Sequence, residues 1–255
     1  TVSGNTLTYK NTIAGTPSNL SAGSTSSITI SGSGSGVIIP NSITELNNFT
    51  LNNSNGTTLQ NSLQLTGTLT LTNGALSIGA NTLTLNSAIS ASSGSLNGGA
   101  SSNISFGGSG DGTNLPAVTL NNLTINRGNG ISLDGDVTVD GTLTLTNGTF
   151  TVSGNTLTYK NTIAGTPSNL SAGSTSSITI SGSGSGVIIP SSVTELNNFT
   201  LDNSNGTTLQ TSIQLAGTLT LTNGALSIGA NTLTLDGAIS SSSGSLSGVA
   251  SSNIS

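Results

Sequence analysis

Apolar and polar residues alternate strictly along short stretches of this chain. Residues 67–90 contain the runs Thr-Leu-Thr-Leu-Thr, Ala-Leu-Ser-Ile and Thr-Leu-Thr-Leu, separated by Asn73-Gly74 and by Gly79-Ala-Asn81. This alternation predicts short strands with one buried face, and the chain shows no apolar stripe of helical period. The expected inward residues are Leu69, Leu71, Leu76, Ile78, Leu83 and Leu85.

The pattern belongs to a long internal repeat. Residues 1–40 return letter for letter as residues 151–190, and the match continues to Ser105 against Ser255 with eleven differences in 105 positions. The chain thus contains one full repeat, 1–150, and a partial one, 151–255. We expect residues 1–255 to form one continuous repeat domain that is a fragment of a longer chain.

A weaker repeat of 74–76 residues lies inside the long one. The string Leu46-Asn-Asn-Phe-Thr-Leu returns as Leu120-Asn-Asn-Leu-Thr-Ile, and the string that starts at Gly67 recurs at Gly141 and Gly217. Such a unit divides into about three coils of roughly 25 residues, which is the size of one turn of a solenoid. A chain of this length would then hold about ten coils and be on the order of 50 Å long.

The Asn-Gly pairs between the strands allow two folds. If they form hairpins, the protein is a sandwich or an antiparallel array; if they are corners, each strand stacks on its equivalent in the next coil. Near-identical short units favour the second, so the predicted fold class is all-β, a right-handed parallel β-helix (β-solenoid) with short strands.

Two kinds of polar segment leave their roles open. The pairs Asn47-Asn48, Asn121-Asn122 and Asn197-Asn198 either stack as amide ladders at a bend or are ordinary turn residues. The Gly/Ser-rich segments 31–36 and 106–115 have the composition of linkers. Since 31–36 returns unchanged at 181–186, we interpret them as loops that project from one edge of the solenoid.

The composition leaves little for most chemistries. The chain has three Lys/Arg and eight Asp/Glu, a net charge of −5, and no His, Cys, Met or Trp. We expect no enzyme activity, no cofactor, no nucleic-acid partner, and no membrane insertion of this segment. Lys10, Lys160 and Arg127 are isolated charges that we expect to solubilise loops.

Several strings resemble a known family. Residues 122–126, the segment 131–148 and Gly79-Ala-Asn-Thr-Leu-Thr-Leu85 resemble the "β-strand repeat" segments of very large bacterial surface proteins, which are similar in architecture to filamentous-haemagglutinin-type adhesins and fibre proteins. The resemblance covers essentially the whole chain. It implies a location outside the cell or on its surface; the family has no defined active site to transfer.

Two groups of acidic residues are candidate sites. Asp134, Asp136 and Asp140 are clustered like the acid and base of a polysaccharide lyase or hydrolase, but Gln60, Ser62 and Thr66 replace them one sub-repeat earlier. We therefore predict no catalytic residues. Asp111, in Gly107-Gly-Ser-Gly-Asp-Gly112, is a weak candidate for calcium, since the string is similar to glycine-rich calcium repeats.

Outward threonines suggest a further role. Rows such as Thr68, Thr70 and Thr72, or Thr218, Thr220 and Thr222, could order water and bind ice if the same Thr occupied one face of many successive coils. We expect the intervening Asn, Ser and Gln coils to interrupt such a face. Threonine outside and leucine inside is otherwise typical of a solvated strand.

The expected function is therefore structural. Neither end of the sequence carries a polar cap, so stacking of further coils or end-to-end and lateral self-assembly would give a filament. We predict a rigid extracellular rod or filament on, or released from, a bacterial surface. The alternative is an adhesin that presents loops from a β-helical stalk to glycans or to other cells.

Overall fold

The chain forms a parallel β-solenoid, as the sequence predicts. A computed structural model describes residues 1–110 and 112–255. All strand pairs in this part of the chain are parallel, and strands pair with equivalents 18–21 residues further along, so that Phe49 pairs with Leu69 and Leu69 with Ile89. The solenoid has about 12 coils of about 20 residues.

The strands are short. Two single-turn 3-10 helices, Pro17–Asn19 and Pro167–Asn169, lie between them. In chain order the strands are β1 (Thr6–Tyr9), β2 (Ser27–Gly32), β3 (Ile38–Ile39), β4 (Glu45–Leu46), β5 (Phe49–Asn53), β6 (Thr57–Leu59), β7 (Leu63–Leu65), β8 (Leu69–Ser77), β9 (Thr82–Leu85), β10 (Ile89–Asn97), β11 (Gly99–Phe106), β12 (Thr113–Leu115), β13 (Val118–Asn126), β14 (Ile131–Leu133), β15 (Val137–Val139), β16 (Leu143–Asn147), β17 (Phe150–Thr151), β18 (Thr156–Tyr159), β19 (Ala164–Gly165), β20 (Leu170–Ser171), β21 (Ser177–Gly182), β22 (Glu195–Leu196), β23 (Phe199–Asn203), β24 (Thr207–Thr208), β25 (Ile213–Leu215), β26 (Leu219–Asn223), β27 (Ala225–Ser227), β28 (Thr232–Leu235), β29 (Ile239–Ser241), β30 (Ser245–Ser247) and β31 (Asn253–Ile254).

Each coil has three faces, and strands stack along each face. Strands β8, β10, β11 and β13 are bent and contribute to two faces. Face A holds β1, β2, β5, β8, β10, β12, β14, β17, β20, β22, β25, β28 and β31. Face B holds β3, β6, β8, β10, β11, β13, β15, β18, β21, β23, β26 and β29. Face C holds β4, β7, β9, β11, β13, β16, β19, β24, β27 and β30.

The interior is filled by the inward residues of all three faces. The six leucine and isoleucine side chains predicted from residues 67–90 are all fully buried, so the prediction of the inward set is confirmed. One hydrophobic cluster runs from Ile28 to Leu233. Because each inward Leu or Ile contributes roughly 1.5–3 kcal/mol by leaving water, the core stabilises the solenoid along its axis.

The coil length differs from the expected 25 residues. The three runs of residues 67–90 do form three faces, but the next coil already begins at Ile89, which pairs with Leu69. Corners of only two or three residues connect the runs, and strand β8 passes from face A to face B without a break. This shortens each coil to about 20 residues.

The coil length determines on which face equivalent residues of the two repeats lie. Leu7 lies on face A, and Leu157, its counterpart 150 residues later, lies on face B. The long repeat thus advances the chain by seven coils and one further face. The sub-repeat behaves in the same way, because the equivalent residues Phe49, Leu123 and Phe199 lie on faces A, C and B.

Candidate functional site

The aspartates that suggested a catalytic set are used singly at the surface. Asp136 accepts a hydrogen bond from the backbone N–H of Thr156 through Oδ1 at 2.7 Å. Asp140 pairs with Lys160 in the next coil, with 2.7 Å between Oδ1 and Nζ. Asp134 is exposed. Two of the three carboxylates therefore act as links between coils.

No group of three or more acidic residues in 1–110 and 112–255 could hold a metal ion. The calcium candidate Asp111 lies outside the described residues. Its neighbours Gly107 and Gly108 follow strand β11, and the N–H of Gly107 donates to the carbonyl of Leu85 in the preceding coil at 3.0 Å. This part of the Gly-rich segment is held against the solenoid.

Arg127 is fully buried, so its predicted role as a solubilising surface charge is wrong. Its Nε donates to the carbonyl of Gly107 at 3.1 Å, and its Nη2 donates to the carbonyls of Leu85 at 3.2 Å and Ser87 at 2.8 Å. Its Cζ lies 5.7 Å from the centre of the Phe106 ring. The guanidinium thus joins three successive coils.

The environment of this guanidinium has two opposing effects. Burial lowers the pKa of Arg127 below its ordinary value, because a charge loses solvation when it leaves water. Carbonyl dipoles and the face of an aromatic ring stabilise the charged form. One signal for this site is present in the sequence: Arg127 replaces Asn53 of the first sub-repeat. Asn53 is itself fully buried at a corner.

The asparagine pairs bridge neighbouring coils. Asn122 accepts from the backbone N–H of Thr142 at 2.8 Å and donates to the side-chain oxygen of Asn103 at 2.8 Å. Asn48 accepts from Thr68 N–H and donates to the Ser27 hydroxyl, and Asn198 makes the same two bonds one long repeat later. The three pairs do not stack on one another, because the sub-repeat puts them on three different faces.

Both tyrosines of the chain are tied to the core, a feature that sequence reasoning missed. Tyr159 is 1% exposed, and its hydroxyl donates to the carbonyl of Ile188 at 2.8 Å. Tyr9 makes the equivalent bond to Ile38, also at 2.8 Å. Burial raises the pKa of both phenols far above the ordinary value. The sequence signal for their burial is that each tyrosine continues the inward series of the alternating run Thr-Leu-Thr-Tyr.

Three related shallow grooves lie beside corners, one on each face. Their volumes are about 320, 250 and 270 Å³. Neutral polar, glycine and small apolar groups dominate their walls. The linings are Gly36, Val37, Ile38, Asn55, Gly56, Thr57, Thr58, Gln60, Ala75 and Ser77 for the first, Gly112, Thr113, Asn114, Asn129, Ile131, Ser132, Thr149 and Thr151 for the second, and Gly186, Val187, Ile188, Asn205, Gly206, Thr207, Thr208, Ala225 and Ser227 for the third.

A row of threonines on face B differs from the sequence-based expectation. On face A the row is interrupted as predicted, because Thr70 is followed by Ser90. On face B, however, the middle outward position is Thr in six successive coils. We call these residues the Thr column: Thr119, Thr138, Thr158, Thr179, Thr200 and Thr220.

Comparison with protein-family models, with curated proteins and with solved structures gives no match to this chain. The described residues contain no helix with the length and apolar character needed to cross a membrane. The structure defines an architecture, the parallel β-solenoid, with three related grooves and a row of six threonines on its surface.

Proposed function

We propose that the protein is a structural rod of a bacterial cell surface, in which coils serve as interchangeable units of length. The observation that supports this most directly is the one-face rotation between long repeats. Copies 1–105 and 151–255 pack nearly the same side chains into different faces, and the core remains continuous between them. A repeat that need not contain a whole number of coils can be added many times without a change in the core.

The surface chemistry fits such a role. Only 4% of the residues are charged, so the stability of the rod depends little on salt. Trypsin has three Lys/Arg targets in the whole chain, and Arg127 is fully buried. A location outside the cell is part of this proposal and is supported by the family resemblance of the repeat strings.

Electron microscopy of a lengthened chain tests the rod. One extra copy of residues 1–150, placed before residue 1 so that it leads into Thr1 as residue 150 leads into Thr151, should extend the negatively stained particle by about 35 Å at constant width, since coils advance by ~4.8 Å. The control inserts 150 residues of Gly/Ser linker at the same point, which adds mass but no ordered length. A compact particle that does not lengthen with the extra copy would contradict the proposal.

The three grooves favour adhesion to glycans as a second candidate function. The grooves lie on three different faces, so each would bind a separate glycan chain. Hydroxyl, amide and backbone groups in the linings match the hydrogen-bonding groups of neutral sugars.

A glycan array distinguishes this second function. Tyrosine at the equivalent groove positions Thr58, Ser132 and Thr208 should abolish saturable binding by filling each groove. The control carries tyrosine at Thr29, Thr84 and Thr124, which line none of the three grooves. Absence of binding by the unmodified protein, or equal loss in the control, would exclude the grooves as the glycan site.

A further inference from the structure

The Thr column is set by the stacking of the coils. Its members are paired in register across five successive strand pairs, from Thr119 with Thr138 to Thr200 with Thr220. The spacing of paired strands is 4.7–4.9 Å, so the column is about 24 Å long. The rotation of the long repeat creates it: the segment that precedes residue 151 supplies Thr119 and Thr138, and the second copy supplies the rest.

The hydroxyls of this column are available to solvent. In residues 1–110 and 112–255, none of the six makes a hydrogen bond to a protein atom. Five of the side chains are half-buried, and Thr119 is exposed. A β-branched side chain has few χ1 rotamers, so each coil presents its methyl and hydroxyl groups with restricted freedom.

The surroundings keep the column regular. No charged residue lies within it. Charged side chains flank it on the same outward side: Asp136 and the ion pair of Asp140 with Lys160 lie beside Thr138 and Thr158, and the exposed Asp202 lies beside Thr200. The column widens at Thr156 and again at Thr218 and Thr222, whose side chains point to the same side. The backbone N–H of Thr156 and that of Thr218 are bonded to side chains of the preceding coil, which fixes this edge.

The rows on the other two faces are shorter. On face A four threonines stack in register, Thr8, Thr29, Thr50 and Thr70, and Ser90 ends the row. On face C the row starts with Glu45 and Gln64, which pair with each other, and Ser105 lies between Thr84 and Thr124. Among the described residues, face B therefore carries the longest row of threonines, six against four on face A.

We propose that the Thr column binds the surface of an ice crystal. Hydroxyls at a fixed repeat hold water molecules at the spacing of the coils, which is close to the spacing of oxygen atoms along one axis of hexagonal ice, and the methyl groups between them exclude disordered water. The rigid scaffold makes the array pre-organised, so little conformational entropy is lost on binding. In an ice crystal the water molecules repeat at regular intervals, as the threonines of the column do along the solenoid axis.

Thermal hysteresis measures this binding directly. The unmodified chain should lower the freezing point of a solution that contains a seed crystal below its melting point, and should partition into slowly growing ice. The triple variant Thr158→Tyr, Thr179→Tyr and Thr200→Tyr should lose both effects, because bulky rings break the repeat of the surface. Tyrosine has high β-propensity, so the far-UV circular dichroism spectrum should remain unchanged.

The matched control carries the same change on face C, at Thr84, Thr124 and Thr144, which are half-buried like the residues they mirror. It should keep the full hysteresis. The proposal is overturned if the unmodified protein shows no hysteresis and is excluded from ice, or if the control loses as much as the triple variant. It is also overturned if sedimentation shows a dimer that only the face B variant dissociates, since the column would then bind a second copy.

Discussion

At the scale of single residues, position 127 shows how one side chain can change the use of a repeated corner. The same corner position of the repeat is occupied by Asn53, Arg127 and Asn203. The backbone carbonyl of each accepts a hydrogen bond from the N–H of the glycine three residues later, at 2.8 Å. The backbone turn is unchanged. The asparagine side chains accept from the N–H two residues later and donate to a carbonyl of the preceding coil, whereas the longer guanidinium reaches carbonyls two coils away.

Replacement of Arg127 by Met should therefore destabilise the protein. The carbonyls of Gly107 and Ser87 would lose the guanidinium as donor, and the Leu85 carbonyl would keep only the N–H of Gly107, so a loss of about 2–4 kcal/mol in the free energy of unfolding is expected. Urea denaturation measures the loss, and hydrogen exchange should show faster opening of the amide of Gly107. Lys160→Met is the control, since its ion pair is partly exposed and contributes roughly 0–1 kcal/mol. Equal losses in the two variants would contradict the role given to Arg127.

The two tyrosines predict a dependence of stability on high pH. Burial raises the pKa of both phenols in the folded protein, while an unfolded tyrosine ionises near pH 10. Stability is therefore complete below about pH 10 and falls as the pH rises above it, because only the unfolded chain releases these protons.

An absorbance titration near the tyrosinate band checks this expectation. At about one pH unit above the ordinary tyrosine pKa of about 10, the native protein should show no tyrosinate signal. The same protein in denaturant should titrate normally. Tyr159→Phe should leave the native titration flat and cost roughly 0.5–1.5 kcal/mol, since the Ile188 carbonyl loses its donor. Normal titration of the native protein would contradict the buried position of the phenols.

At the scale of elements, the corners decide the shape of a coil. Gly74 and its equivalents Gly148 and Gly224 have φ values of 76–80°, a region that L-residues rarely adopt. They also lie directly on the preceding coil, where a Cβ at Gly224 would overlap the carbonyl oxygen of Asn203. The Asn-Gly pairs are therefore stacking corners of a solenoid.

Gly224→Ala tests this contact. Both the left-handed φ and the overlap with the Asn203 carbonyl act against the side chain, so a loss of at least about 2 kcal/mol in unfolding free energy is expected. Gly173→Ala is the matched control, because a Cβ there meets no atom within 4 Å, and it should change stability by less than about 0.5 kcal/mol. A thermal melt of each variant is sufficient. Similar melting temperatures for the two would contradict the corner geometry.

Much of this element structure follows from the sequence alone. Alternation identifies the strands and their inward residues, because a side chain in a strand has only two directions to point. Coil length is harder to predict, since Asn73-Gly74 has the composition of a turn and yet lies within a bent strand. An error of a few residues per coil changes which residues stack, and for that reason the Thr column on face B and the reach of Arg127 were not predicted.

At the scale of the whole molecule, the three faces are nearly equivalent. Counterparts such as Leu7 and Leu157 lie on different faces, yet both face the same kind of core. The chain can therefore change face between repeats without a cost in packing. Stability should depend on the number of complete coils and on contacts between neighbours, as in a one-dimensional array.

Removal of one whole coil should consequently be tolerated. Phe199 pairs with Leu219 and Thr200 with Thr220. Deletion of residues 200–219 therefore joins Phe199 to Thr220, which is equivalent to the deleted Thr200. Every later strand keeps its face. The melting temperature should fall only slightly, because one coil of about 12 is lost, and the Thr column should stay continuous with one member fewer.

Deletion of half a coil, residues 200–209, provides the contrast. Half a coil is one and a half faces, so strands after the deletion would meet corners of the coil before, and inward residues such as Ile213 and Leu215 would lose their partners. We expect this shorter deletion to abolish cooperative melting in circular dichroism although it removes fewer residues. If the two deletions were equally stable, or if the longer one were the more damaging, stacking of complete coils could not be what determines the stability of the rod.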